Sequence, residues 1–107
     1  MKTLDINAMQ WFDKVNGNSY FAGTVTLDFG TPEQQIFYMP FQYGYGSQYE
    51  QEGSKLAFPD VKDVWSLSKY CWENGIIYRH NLQIGCKKRD LMHIDDLIKI
   101  QNLPTVY

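Results

Sequence analysis

The dipeptide Asn16-Gly17 constrains this chain more than any other feature. A type I′ turn needs φ > 0 at both central residues, and asparagine followed by glycine accepts that conformation most readily. Taken as a two-residue hairpin turn, it fixes the register from Leu4 to Phe29. Phe12 then faces Phe21, Ala8 faces Val25, Ile6 faces Leu27 and Leu4 faces Phe29. Side chains alternate along a strand, so all four pairs share one face. A slip of one residue sets Ile6 against Asp28 and destroys the match. The break in the pattern is Gln10 opposite Gly23, and Asp5 opposite Asp28 is unfavourable at the open end. Leu4, Ala8, Trp11 and Val15 also fall near helical spacing, but the cross-strand matching favours a strand.

Gly30-Thr31-Pro32-Glu33 reads as a turn, and a third strand follows over about 35–43. There Phe37, Met39, Phe41 and Tyr43 alternate with Tyr38, Pro40 and Gln42. Pro40 has no N–H to give, which makes this an edge strand or one bulged at that residue. Ser47 with Glu50 is a capping-box pattern and predicts a short helix over about 48–57. A second helix is expected over about 61–74. Asp60 would be its N-cap, Asp63 would favour its positive end, and Asn74-Gly75 would close it. Val61, Val64, Trp65, Ser68 and Trp72 form its stripe, flanked by Leu67 and Cys71. Residues 76–84 alternate as a fourth strand, and Ile94, Leu97 and Ile98 mark a last helix over about 92–101. The tail from Leu103 to Tyr107 is expected to be loose or docked by its apolar residues.

These elements make one domain spanning residues 1–107. The class is α+β: an antiparallel three- to four-stranded meander with two or three short helices packed on one face. The helix side takes Leu4, Ile6, Phe12, Phe21, Val25, Leu27 and Phe29, and Phe37, Met39 and Phe41 join them by parity. The other face carries Met9, Trp11, Tyr20 and Tyr38, among Asp5, Asp13 and Asp28.

Charge narrows the function classes. Ten basic and twelve acidic residues leave a formal charge of -2, which is no footprint for duplex nucleic acid. No apolar run reaches the roughly 20 residues of a membrane-spanning helix, and residues 1–7 lack a signal-peptide layout. Two cysteines give no disulfide framework, so a cytoplasmic protein is expected.

Cys71, His80, Cys86 and His93 have the chemistry of zinc ligands but not the close pairs that let one turn deliver two of them. No metal or other cofactor is expected. Nothing resembles a nucleophile elbow, a phosphate loop or a metalloprotease helix, so no catalytic residue is assigned and the chain reads as a binder rather than an enzyme. Aromatic residues make up 16% of the chain. They gather in Tyr38 to Tyr49, where Tyr43-Gly44-Tyr45-Gly46 sets large rings between residues that turn sharply. Such a loop presents rings to a protein partner at low entropic cost, or stacks the bases of a single strand. The plainer alternative is that Tyr43 plugs the sheet end. The candidate partner-binding residues are Trp11, Tyr20, Tyr38, Tyr43, Tyr45 and Tyr49. The basic run Lys87-Lys88-Arg89 gains meaning if the aromatic loop lies beside it.

Two stretches, WFDKVNGNSYF (Trp11 to Phe21) and MPFQYGYGSQYE (Met39 to Glu50), resemble small uncharacterised accessory proteins encoded by bacteriophages. The resemblance implies a protein made in the host bacterial cytosol that inhibits or modulates a host protein, such as a defence system. The alternative is an accessory protein that binds single-stranded nucleic acid.

Overall fold

A computed structural model describes residues 1–61, 64 and 66–101. Seven elements follow in order: β1 (Thr3–Asp13), β2 (Asn18–Leu27), β3 (Gln35–Tyr43), α1 (Gln48–Ala57), α2 (Leu67–Glu73), β4 (Ile77–Gln83) and α3 (Lys88–Gln101). The fold is α+β, as the hydrophobic patterning predicts.

The first hairpin forms, but two residues out of the expected register. Leu4 pairs with Leu27, Ile6 with Val25, Ala8 with Gly23 and Asp13 with Asn18. The cause lies at Asp13. Its carboxylate accepts from the Val15 N–H at 3.0 Å and from the Asn16 side chain at 2.8 Å, while Gly17 N–H donates to the Asp13 carbonyl at 2.7 Å. The turn is therefore a four-residue loop held by an aspartate, with Gly17 alone at positive φ (+69°). A shift of two preserves parity, so Leu4, Ile6, Ala8, Phe21, Val25 and Leu27 all stay in the core. Phe12 and Phe29 do not. Phe12 now faces Ser19 near the loop, Phe29 lies past the end of β2, and both are exposed. At the open end Asp28 meets no carboxylate. It accepts from the Lys2 and Thr3 N–H groups, which hold its carboxyl below the usual range, and Asp5 pairs with Arg79 at 2.7 Å. Gly17→Val should cost about 1–3 kcal/mol through backbone strain alone, since no neighbour lies within 4 Å of a Cβ there. A thermal melt measures it.

The sheet is not an antiparallel meander. Its order is β3-β2-β1-β4, and β4 runs parallel to β1, with Leu4 beside Tyr78 and Ala8 beside Leu82. The chain leaves one edge at β3, crosses over α1 and α2, and returns at the opposite edge. A parallel neighbour requires such a crossover, and two consecutive helices supply it. β3 is the other edge strand. Its register shifts between Phe21 and Gly23, so Pro40 and Phe41 together oppose Ala22. That bulge is where Pro40 placed it, and beyond it the parity of β3 reverses.

Helices also cover both faces, not one. α1 and α2 pack on the face of Leu4, Ile6, Val25 and Met39, and Tyr49, Ala57, Leu67 and Cys71 complete that core. α3 lays Leu91 and Ile94 on the other face, over Ala22, Met9 and Tyr38. Sheet faces that are apolar on both sides need cover on both. α1 has the expected bounds, although the Ser47 side chain makes no cap. α2 starts later than expected, at Ser66, whose side chain accepts from Lys69 N–H at 3.3 Å. This start turns Leu67 and Cys71 inward and leaves Ser68 and Trp72 in solvent. Ile76 N–H donates to the Cys71 carbonyl at 2.8 Å and Gly75 N–H to that of Trp72, closing α2 at Asn74-Gly75 as expected. α3 begins four residues early, where Asp90 accepts from Lys87 N–H at 2.9 Å. The expectations for Asp63, Trp65 and the tail from Leu103 to Tyr107 lie outside the described residues.

Candidate functional site

Strand pairing builds an aromatic row on the α3 face. Trp11 of β1 and Tyr20 of β2 are direct cross-strand partners, with ring centroids 5.5 Å apart. Tyr43 of β3 pairs with Tyr20 and meets its ring edge-on at 5.9 Å. The bulge adds Phe41, whose ring stacks on Tyr20 at 5.0 Å and lies 6.2 Å from Trp11. Asp95 of α3 fixes the bulge by accepting from Phe41 N–H at 2.9 Å. Offset and edge-on contacts of this kind add to the stabilisation from buried area. At the far end Lys88 sets its ammonium 5.7 Å from the Trp11 ring centroid, a cation–π contact.

The six candidate residues divide among three places. Trp11, Tyr20 and Tyr43 come together in the row, half-buried except for Tyr43, which is 58% exposed. Tyr38 packs in the same apolar cluster, against the residues of α3. Tyr45 stands on the loop after β3 and is 67% exposed. Tyr49 is withdrawn from the surface: on α1 it points into the core of the opposite face. Its capping-box position hid this, because helix phase, not loop geometry, orients it. Trp11 and Tyr20 are likewise more enclosed than an open sheet face would leave them, because α3 covers that face.

Beside the row an open groove of about 480 Å³ runs along the hairpin end, lined by Trp11, Phe12, Lys14, Val15, Cys86 and Lys87. Phe12 and Val15 are exposed in it. Lys87 and Lys88 of the basic run therefore lie against Trp11, a residue of β1 and not of the Tyr43-Gly44-Tyr45-Gly46 loop. Phe41 and Lys88 belong to the surface and were not among the candidates. Pro40 carried the signal for Phe41, since a bulge reverses parity. No sequence signal placed α3 across this face.

A second polar cluster sits between α1 and β4. Tyr49 Oη and His80 Nδ1 share a hydrogen bond of 2.8 Å, and Tyr78 Oη donates to Glu50 Oε1 at 2.6 Å. His80 Nδ1 is 3.8 Å from that carboxylate, and the Tyr78 and His80 rings stack at 4.8 Å. The His80 ring is thus satisfied by its neighbours, as the plain reading of a strand histidine has it. Burial pushes the Tyr78 phenol well up, and its bond to Glu50 adds to this; burial and the Glu50 charge raise Tyr49. Both phenols hold their protons more tightly when folded than at the unfolded value of about 10. Their contribution to stability is therefore complete below that pH and is lost as pH rises above it. Denaturant midpoints should fall between about pH 10 and pH 12, and the slope should be shallower in Tyr78→Phe.

Among the described residues no three His, Cys, Asp or Glu side chains converge as a metal site, and no helix is long and apolar enough to cross a membrane. Cys71 is fully buried, and its thiol is pushed up by that burial. No family model, curated protein or solved structure matches the chain.

Proposed function

We propose that this chain is a phage-type binding protein that inhibits or modulates a host protein by docking it on the aromatic face. The observation that carries the reading is the row of Trp11, Tyr20, Phe41 and Tyr43, which opens to solvent at Tyr43 and continues into a groove with exposed Phe12 and Val15. Rigid aromatic side chains flanked by a cation are the residue types that anchor protein interfaces. Inhibition by occlusion needs such a surface and no reacting group. The phage and host parts of the proposal rest on the resemblance of Trp11 to Phe21 and Met39 to Glu50.

One observation favours a second reading. Lys14, Lys87 and Lys88 gather around Trp11, the arrangement in which a single-stranded nucleic acid stacks bases and neutralises phosphates.

Capture from bacterial lysate, with and without nuclease, separates the two. The first reading expects a protein retained after nuclease. Its affinity should fall about thirtyfold, or 2 kcal/mol, with Tyr43→Ala, as for an aromatic anchor. Trp72→Ala, an 81% exposed ring on the other face, should leave affinity unchanged. Loss of every partner on nuclease treatment, with binding of a single-stranded oligonucleotide weakened by Lys88→Ala and by salt, would overturn it in favour of the second.

A further inference from the structure

The two edges of the sheet differ in kind. On β3 the ladder is interrupted by Pro40 and its bulge, and the Phe41 N–H is taken by Asp95. These are devices that keep an edge from pairing further. β4 has none of them. Its seven residues, Ile77 to Gln83, contain no proline, lysine or bulge, and their one charge, Arg79, is neutralised by Asp5 at 2.7 Å.

Among the described residues no partner takes the outer backbone groups of β4, and their direction follows from one hydrogen bond. Ile77 N–H donates to the Lys2 carbonyl of the β1 chain at 2.9 Å. In a parallel ladder the residues turned toward the neighbour alternate, so 77, 79, 81 and 83 face β1. Tyr78, His80 and Leu82 turn their N–H and C=O groups outward. These three are symmetric about His80.

We propose that β4 is a self-pairing edge: two copies of the chain join antiparallel through it, with the two-fold axis at His80. In this register His80 meets His80, and Tyr78 meets Leu82 twice, so all three outward residues form hydrogen-bonded pairs. Tyr78 and Leu82 already flank the α1 side core, and their pairing carries that apolar layer across the joint. Arg79 meets Asn81, so no like charges face each other. Ile84, 71% exposed, falls opposite Ile76 just beyond the strand ends. A strand whose outward groups and side chains complement themselves under a two-fold axis fits a second copy better than an unrelated strand. The protected β3 edge stops growth at two.

Sedimentation of the full chain from micromolar to millimolar concentration tests this, together with residue-resolved amide exchange. The expected result is a monomer–dimer equilibrium in which the Tyr78, His80 and Leu82 amides slow as dimer forms. Asn81→Lys, an exposed change on the other face of the strand, sets a second cation against Arg79 at two symmetric positions. It should weaken the dimer about five- to tenfold. Asn81→Glu, equally exposed, should not weaken it. A chain that stays monomeric, a dimer that leaves those three amides unprotected, a dimer that responds alike to both substitutions, or open-ended oligomers would each overturn the proposal.

Discussion

Gly23→Ala should lower stability by about 3 kcal/mol, and the melting temperature by roughly 12 °C or more. Gly23 lies on β2, opposite Ala8 on β1, and both strands are central in the sheet. A Cβ at 23 would press into the Asn7 carbonyl oxygen and come within 2.7 Å of Ala8 Cα. Both atoms are backbone, held by hydrogen bonds on either side, so relief requires parting the ladder next to the bulge. Gly53 on α1 gives the contrast. There the nearest obstacle is Ile6 Cδ1, the end of a side chain that can turn aside. The gain in helix propensity, about 1 kcal/mol, offsets that adjustment, so Gly53→Ala should be close to neutral. Denaturant unfolding of the two variants decides whether backbone approach sets the requirement at 23.

Phe21→Ala should cost about 3–5 kcal/mol, the usual penalty for a buried phenylalanine. Phe21 is 1% exposed in the core under α1, and its ring lies so close to Gly44 that a side chain there would strike it. Phe12→Ala should cost less than about 1 kcal/mol, since the ring is 50% exposed and its partner across the strand is Ser19. The expected hairpin made these two phenylalanines partners of equal weight. Thermal melts of both variants distinguish the registers without a structure: equal losses would restore the two-residue turn.

That hairpin shows what the sequence carries and what it withholds. Alternation of apolar residues marks faces by parity, and parity survives any shift of two. Leu4, Ile6, Ala8, Phe21, Val25 and Leu27 could therefore be assigned to the core while their partners were not. The register was set instead by the Asp13 carboxylate, a local interaction that competes with the Asn16-Gly17 signal. Pro40 told where β3 would be irregular. Reading Phe41 as inward ignored the reversal that a bulge brings, so a residue of the aromatic row was placed in the wrong layer. Tyr45 was legible as exposed because Gly44 ends the strand's periodicity, whereas Tyr43, in the same alternation as Phe41, reached its face only through the bulge. The parallel pairing of β4 was beyond reach, because a strand's sequence does not record which edge it joins. With β4 misplaced, the contacts of Tyr49 and Glu50 with His80 and Tyr78 were hidden as well.

The crossover from β3 to β4 has a consequence for the order in which the chain can assemble. β1, β2 and β3 are consecutive and pair through short loops, so they can close as each leaves the ribosome. β1, however, borders β4, which arrives only after α1 and α2 have been made. Until then the Lys2 to Ala8 side of β1 is an open edge, beside the apolar side chains of Leu4, Ile6 and Ala8. A chain cut before Ile77 would keep that edge for good, and it would be a template for aggregation. The finished fold covers it with β4, so β4 acts as an intramolecular guard on a strand made well before it.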